Sequence, residues 1–144
     1  MDRANVRLKR LSPRYQLAVA SGDQGEPRLD FSIRDHHQAD TERPLTTLSG
    51  GETFLVSLAL ALALSDFRRV DMPVETLLLD EGFGTLDQET LDVAMMTLRQ
   101  LQQENVQQIG IISHVEGLKE RVDTRIIVEK IGNGRSVIKV DAAL

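Results

Sequence analysis

Residues 76–81 read TLLLDE, a short apolar run that ends in two carboxylates. A run without alternation of polar and apolar side chains is typical of a strand that is buried on both faces of a parallel sheet. A second run of this kind, QIGIIS, occupies residues 108–113. Between the two, residues 88–103 repeat leucine and methionine at helical spacing. We therefore predict a strand, an amphipathic helix and a parallel strand joined by a right-handed crossover.

Predicted elements on both sides of this unit complete an α/β chain. Residues 49–65 are apolar on nearly every side, which predicts a buried helix. Residues 35–47 are polar and predict a loop. Alternating patterns predict two antiparallel hairpins, one over residues 14–20 and 29–34 and a closing one over residues 125–129 and 136–140.

The composition excludes several classes of protein. The chain has 144 residues, of which 41% are hydrophobic and 27% charged, as expected for one globular domain. It has no cysteine, which excludes disulfides, zinc–thiolate sites and cysteine catalysis. The longest nearly apolar run, residues 54–64, is too short to span a bilayer, so we expect a cytoplasmic protein without a membrane segment. A net charge of −5 gives no support to non-specific binding of nucleic acid by this chain alone.

The segment Leu48-Ser49-Gly50-Gly51-Glu52 stands at the start of the predicted buried helix. Ser49 and Glu52 have the spacing of a capping box, which alone would explain both residues. Two glycines in the first helical turn each cost roughly 1 kcal/mol of helix propensity. Glycines there let a phosphate approach bare N–H groups at the positive end of the helix. A cap and a phosphate site both remain open on this segment alone.

Asp80 and Glu81 follow the first buried strand, at the edge where open α/β sheets bind ligands. Asp80 could hold Mg²⁺, which takes hard oxygen ligands and keeps several waters. Glu81 is then placed to orient or deprotonate an attacking water. The alternative is a solvated strand end without a chemical role. Asp87, at the end of the glycine-containing loop that follows, is the predicted N-cap of the next helix.

His114 directly follows the second buried strand. A lone histidine is more often structural than catalytic. Because parallel strands present their carboxyl ends at the same sheet edge, the tip of His114 could reach the crevice that holds Asp80. We assign no role to His36 and His37, which lie in the polar segment.

These motifs in this order resemble the C-terminal lobe of an ABC-type ATPase head, a P-loop NTPase fold. In that family LSGGE is the signature motif, LLLDE is the Walker B segment, GTLD is the D-loop, and the histidine of SH is the switch histidine. The matching positions are residues 48–52, 77–81 and 84–87, and His114. The resemblance implies a partial parallel sheet with flanking helices and antiparallel hairpins.

Three longer strings are similar to the SbcC family of SMC-like ATPases, whose members work with a nuclease subunit on DNA ends and hairpins. They are GGETFLVSLALALALSD at residues 50–66, DEGFGTLD at residues 80–87 and SHVEGLKERV at residues 113–122. Transporter ATPases usually carry glutamine where Glu52 stands, followed by a basic helix, and this helix has no lysine or arginine. The sequence therefore disfavours a transporter.

A complete head of this family also needs a phosphate loop, and the chain contains no G-x-x-x-x-G-K-[ST] motif. In the SbcC-like layout that loop lies in an N-terminal lobe, separated from this one by a long coiled coil. We therefore expect the chain to be a fragment. Residues 1–13 would be the end of the coiled-coil helix entering the head, and residues 14–144 the C-terminal lobe.

The resemblance implies that ATP is held between two heads. Ser49, Gly50 and Gly51 would come from one head and close on the γ-phosphate bound to the other, with Glu52 in the same motif. Asp87 would help to link the two sites across the interface.

The same resemblance assigns the chemistry to three other residues. Asp80 would support Mg²⁺, Glu81 would activate water, and His114 would sense or stabilise the γ-phosphate. Both ATP and Mg²⁺ would need the N-terminal lobe, so we expect the fragment alone to be inactive.

The implied partners are the N-terminal lobe of the same protein, a second head in a homodimer, an SbcD-like metallophosphoesterase nuclease and DNA. The alternative is an SMC-like or RecF-like scaffold that organises DNA without a nuclease. Co-purification with a metallophosphoesterase would support the first hypothesis, and co-purification with a kleisin-type protein the second.

Overall fold

A computed structural model describes residues 1–19, 31–65, 76–105 and 108–142. The elements within these ranges are, in chain order, α1 (Asp2–Leu11), β1 (Tyr15–Val19), β2 (Phe31–Asp35), β3 (Thr41–Pro44), α2 (Gly50–Ser65), β4 (Thr76–Asp80), α3 (Gln88–Asn105), β5 (Gln108–Ile112), β6 (Thr124–Gly132) and β7 (Arg135–Ala142). Short 3₁₀ turns cover Leu45–Thr47, Phe83–Thr85 and Glu116–Arg121. None of the helices in the described ranges has both the length and the apolar character needed to cross a bilayer.

The predicted strand–helix–strand unit is confirmed. β4 and β5 pair in parallel, with Leu78 opposite Gly110 and Asp80 opposite Ile112, and α3 connects them in the sequence. Since both strands run in the same direction, the residues that follow Asp80 and Ile112 leave the sheet at one edge.

The two faces of the β4–β5 sheet differ sharply. Alternate residues Leu77, Leu79 and Ile111 pack into the hydrophobic core. On the other face Leu78 is 68% exposed and Ile112 is 54% exposed. A parallel strand with an exposed leucine is unusual, because such strands are normally covered on both faces.

Both predicted hairpins are confirmed. β1 and β2 pair antiparallel, with Leu17 opposite Ile33, and β6 and β7 pair antiparallel, with Val128 opposite Ile138. The turn around Gly22, Gly25 and Pro27 falls outside the described residues.

The prediction of a loop over residues 35–47 is wrong in part. Residues 41–44 form β3, which pairs antiparallel with β2 and makes a three-stranded sheet. The pattern Thr-Glu-Arg-Pro is too polar to be identified as a strand from periodicity, and proline is tolerated here because β3 lies at the sheet edge. Arg43 on β3 also contacts Asp35 on β2 at 3.1 Å, which supports the pairing.

The predicted N-terminal helix ends at Leu11, before Pro13, but one face of it belongs to the core. Ala4, Leu8 and Leu11 are buried, and the helix packs against α2. The side chain of Asn5 donates to the carbonyl of Leu17 at 2.9 Å and accepts from its N–H at 2.8 Å. This amide side chain therefore pairs with β1 as a neighbouring strand would.

Asp35 is a fully buried carboxylate at the end of β2. Arg14 Nε and Nη2 donate to its two oxygens at 2.8 Å and 2.7 Å. Arg43 Nη2 donates to the second oxygen at 3.1 Å, and the backbone N–H of His37 donates to the first at 3.0 Å. The hydrogen bonds from Arg14 are the main reason that the pKa of Asp35 lies at about 2.

We expect Asp35→Asn to lower the free energy of unfolding at neutral pH. The pKa of this carboxyl is lower in the folded chain, about 2, than its ordinary value of 3.8, so its ionised form stabilises the fold above that value. The contribution is lost as the pH falls through about 2. Urea unfolding of the wild type and of Asp35→Asn, from neutral pH down to about pH 2, should therefore show a difference in the free energy of unfolding that shrinks towards low pH.

The matched control for this experiment is Asp92→Asn, which removes an exposed ion pair with Arg121. Exposed pairs contribute only about 0–1 kcal/mol, so this variant should stay close to the wild type at every pH. A difference between wild type and Asp35→Asn that is the same at every pH would contradict the role given to the ionised Asp35.

Candidate functional site

The capping box predicted at the start of α2 is present. The Ser49 N–H donates to Glu52 Oε2 at 2.8 Å, and the Glu52 N–H donates to Ser49 Oγ at 3.3 Å. The Thr53 N–H donates to the Ser49 carbonyl at 2.9 Å and begins the helical ladder. Ser49 therefore stands at the positive end of a 16-residue helix, on the exposed surface.

The structure gives the second glycine of this segment a packing reason. A Cβ added to Gly51 would lie 2.9 Å from the backbone carbonyl oxygen of Thr85, closer than real Cβ contacts allow. A Cβ added to Gly50 would meet the Thr85 side chain at ordinary distances of 3.5 Å and 3.6 Å. The start of α2 thus lies directly against the loop between β4 and α3, which brings the predicted signature motif and D-loop together. The phosphate interpretation of the two glycines remains a prediction.

Glu81 leaves the sheet in a left-handed backbone conformation. Its φ is 58°, and that of Gly82 is 92°. The Glu81 N–H still donates to the Ile112 carbonyl at 2.9 Å, so the turn begins immediately after the last rung of the ladder. A Cβ on Gly82 would overlap the ring of Phe54, which itself packs edge-on against the buried Phe83. The sharp turn fixes the direction in which Glu81 leaves the strand.

The prediction that His114 reaches the crevice at the end of β4 is supported by a direct contact. His114 Nδ1 lies 3.1 Å from Glu81 Oε2 and 3.2 Å from Glu81 Oε1. The His114 side chain is 82% exposed and that of Glu81 is 52% exposed. A carboxylate and an imidazole in contact at a solvent-exposed edge can exchange protons with a substrate or with solvent.

Asp80 is exposed at the end of β4, directly before Glu81 in the sequence. Among the residues that the structure describes, no three histidine or carboxylate side chains are grouped closely enough to hold a metal. A single carboxylate fits Mg²⁺ when the remaining ligands are waters and substrate phosphates, and it does not fit a metal held by protein ligands alone.

Asp87 caps α3 as predicted. Its Oδ1 accepts the Thr90 N–H at 2.8 Å, and its carbonyl accepts the Leu91 N–H at 2.9 Å. The backbone hydrogen bond from Thr90 is the main reason that the pKa of Asp87 is lowered.

Three residues that contact the signature segment (residues 48–52) or the residue before it, Arg14, Tyr15 and Arg43, are not identified from the sequence. The Tyr15 hydroxyl donates to Glu52 Oε1, and Arg14 Nη1 lies 3.7 Å from the same oxygen. Arg43 Nη1 contacts the carbonyl and hydroxyl oxygens of Thr47 at 3.3 Å and 3.2 Å. A tyrosine at a core position of β1 and an arginine in a polar segment carry no local signal that would have identified these contacts.

Comparison with known proteins gives a match to one family model and to several bacterial proteins. The model described as SbcC/RAD50-like, Walker B motif, matches residues 26–100, slightly more than half of the chain. The SbcC subunit of the nuclease SbcCD from Rhodobacter capsulatus is 45% identical over 141 residues, which cover 98% of this chain and 11% of the relative. The protein of the same name from Deinococcus radiodurans is 42% identical, covering 98% of this chain and 15% of the relative. The chain thus spans 11–15% of the length of these two relatives.

Solved structures with the same fold include SMC head domains. The head domain from Thermotoga maritima has a TM-score of 0.64 and 27% identity, covering 96% of this chain and 45% of that chain. The head domain from Pyrococcus furiosus, solved with an extended coiled coil and bound to the C-terminal domain of ScpA, has a TM-score of 0.71 and 19% identity, covering 98% of this chain and 34% of that chain. These likenesses confirm the predicted fold class.

The contact between Gly51 and Thr85 predicts that two neighbouring glycines respond differently to the same change. Gly51→Ala should destabilise the chain by about 1–3 kcal/mol, because the added methyl group meets a backbone carbonyl that cannot move aside cheaply. Gly50→Ala is the matched control and should be neutral or stabilising by up to about 1 kcal/mol. Urea unfolding of both variants measures the difference, and equal stabilities would contradict the close approach.

Proposed function

The chain belongs to the SbcC/RAD50-like family, and we therefore propose that it is the C-terminal lobe of the ATPase head of an SbcC-like protein. With an SbcD-like metallophosphoesterase as the nuclease component, the complete protein would use ATP to process DNA ends and hairpins in repair. The observation that carries the proposal is the 3.1 Å contact between Glu81 and His114 at the carboxyl ends of two parallel strands.

In this proposal Glu81 is the general base for ATP hydrolysis. Its exposed carboxylate would take a proton from the water that attacks the γ-phosphate. His114 would orient Glu81 through its Nδ1 contact and would sense or stabilise the γ-phosphate. Asp80 would hold Mg²⁺, whose chemistry is to neutralise charge on the phosphates when it is bound.

The signature segment would act on ATP bound to a second head. Ser49 would offer its hydroxyl, and Gly50 and Gly51 their N–H groups, to the γ-phosphate at the positive end of α2. The main role of Glu52 would be to hold Ser49 in place through the capping box, and contact with the nucleotide would be secondary. Asp87 would link the two sites from the loop that Gly51 touches.

The exposed apolar faces support a covering N-terminal lobe. Leu78 and Ile112 lie open on one face of the β4–β5 sheet. Ile126 and Val128 of β6 lie open on the closing hairpin, with Val140 and Ile138 directly opposite them on β7. Since apolar surface of this kind is normally buried, we place the lobe that carries the phosphate loop on these faces. Residues 1–13 would then continue into the coiled coil.

The proposal includes a homodimer of heads, contact with DNA through the complete complex, and a cytoplasmic location, where bacterial DNA ends occur. The fold that the chain shares with SMC heads is the observation behind the alternative of an SMC-like scaffold. The SbcC relatives are more similar in sequence, at 40–45% identity, than these heads, at 18–27%. The nuclease-associated function is therefore preferred. Isolation of the complex tests the choice, since a bound metallophosphoesterase supports it and a kleisin-type partner contradicts it.

We expect Glu81→Gln, made in the longer protein, to reduce ATP hydrolysis by at least about a hundredfold and to leave ATP binding intact. The amide keeps the shape of the side chain and cannot accept the proton. The 144-residue chain alone should neither bind ATP tightly nor hydrolyse it, because it contains no phosphate-loop motif. Phosphate release and nucleotide binding measure the two effects.

The control for this experiment is Glu116→Gln, which changes an exposed carboxylate paired with Lys119 outside the site. It should hydrolyse ATP at the wild-type rate. Full hydrolysis by Glu81→Gln would contradict the role of the general base.

We expect Ser49→Arg to abolish ATP-driven dimerisation of heads while the lobe stays folded. Loss of a serine cap costs only about 1 kcal/mol, whereas a long cationic side chain would occupy the place of the hydroxyl that meets the γ-phosphate. Sizing of heads with a slowly hydrolysed ATP analogue measures the effect. Ser57→Arg places the same side chain on an exposed position of the same helix and should leave the dimer unchanged. A normal dimer with Ser49→Arg would contradict the role of the signature segment.

A further inference from the structure

We propose that Tyr15 is a positioning residue for the signature segment. Its hydroxyl fixes the Glu52 carboxylate, and that carboxylate in turn holds the Ser49 backbone at the start of α2. The consequence for catalysis rests on the proposed function, in which Ser49 meets the γ-phosphate.

The Glu52 carboxylate is held from two sides. Its Oε2 accepts the Ser49 N–H at 2.8 Å, within the capping box. Its Oε1 accepts the Tyr15 hydroxyl, with Arg14 Nη1 at 3.7 Å. One oxygen thus serves the local turn and the other serves a contact with a strand 37 residues away in the sequence. A capping box closed only by its own residues would leave the second oxygen to solvent.

The protonation states support this direction of hydrogen bonding. Burial, together with the hydrogen bond to Glu52, raises the pKa of Tyr15 to about 12, so the hydroxyl remains a donor. Burial, the largest influence, would raise the pKa of Glu52, but hydrogen bonds from Tyr15 and Ser49 outweigh it and the pKa is lowered. The carboxylate therefore remains an acceptor near neutral pH.

Tyr15 is itself held rigidly. Its side chain is buried on β1, and the guanidinium carbons of Arg14 and Arg43 lie 4.8 Å and 5.9 Å from the centre of its ring. Cations at these distances from an aromatic face attract it. Both arginines are fixed by the buried Asp35 carboxylate, at 2.7 Å and 3.1 Å.

Arg43, which contacts both Asp35 and the Tyr15 ring, also contacts a residue that precedes Ser49. Arg43 Nη1 contacts the carbonyl oxygen of Thr47, two residues before Ser49, at 3.3 Å. The signature segment is therefore fixed before Ser49 by Arg43 and after it by Tyr15. Both anchors belong to the three-stranded sheet, which is a firmer support than the loop itself. A displacement of about 1 Å at a group that meets substrate can cost a hundredfold in rate.

Hydrogen exchange of this chain tests the positioning directly. Tyr15→Phe removes only the hydroxyl, and it should speed exchange of the Ser49 amide about tenfold, as expected for a lost hydrogen bond to a charged group. The matched control is Thr97→Val, which removes a buried hydroxyl bonded to the Val93 carbonyl in α3, away from the segment. It should leave Ser49 exchange unchanged. Circular dichroism checks that each variant is folded.

A second pair of variants keeps the test decisive if Tyr15→Phe does not fold. Glu52→Gln keeps one acceptor oxygen, which can take the Ser49 N–H, while its NH2 group can donate to the Tyr15 hydroxyl oxygen, so it should keep Ser49 exchange close to the wild-type rate. Glu52→Ala loses the contacts with Tyr15 and with the Ser49 N–H, and it should speed exchange of the Ser49 amide at least as much as Tyr15→Phe does. Equal exchange in Glu52→Gln and Glu52→Ala would overturn the inference.

The consequence for catalysis is measured in the longer protein. Tyr15→Phe should lower kcat/KM for ATP about tenfold, while Thr97→Val leaves it unchanged. If Tyr15→Phe leaves Ser49 exchange unchanged, or speeds it without lowering kcat/KM, the inference is overturned. If instead Ser49→Arg retains full ATP hydrolysis, the proposed function fails, and the exchange data alone then decide whether Tyr15 positions the segment.

Discussion

The parallel pairing of β4 with β5 determines where Glu81 and His114 lie. It aligns the ends of two strands that are separated by a helix, so that residues from distant parts of the chain leave the sheet at one edge. The last rung, from the Glu81 N–H to the Ile112 carbonyl, sets the place where the chain turns away. The turn itself is made by two residues with positive φ, and packing against Phe54 leaves room there only for glycine at position 82. The contact between Glu81 and His114 follows from these local requirements.

The start of α2 is the second part of the site, and it is supported by two different kinds of interaction. From the side of the loop, close packing of Gly51 on Thr85 determines how near the helix can lie. From the side of the three-stranded sheet, hydrogen bonds from Tyr15 and Arg43 fix the direction of the segment that precedes and opens the helix. Packing limits distance and hydrogen bonds limit orientation, so the two supports complement each other.

The sequence was sufficient to predict the elements whose signal is local. The apolar runs of β4 and β5, the spacing in α3 and the caps of α2 and α3 all depend on residues close together in the chain. β3 was missed because its four residues are polar and only its pairing with β2 identifies it as a strand. The left-handed conformation of Glu81 was missed because a charged residue gives no sign of it. The contact of Tyr15 with Glu52 joins residues 37 apart and leaves no periodic pattern, so it can be identified only from the folded structure.

The lack of space between Gly51 and Thr85 also has a mechanical consequence. Because the gap does not have room for even a methyl group, a shift of the loop towards α2 would press on the first turn of the helix. The helix is 16 residues long and several of its side chains are buried, so a shift of its first turn would be felt in the core. We therefore expect the loop after β4 and the start of α2 to move together, although 33 residues lie between Gly51 and Thr85 in the chain.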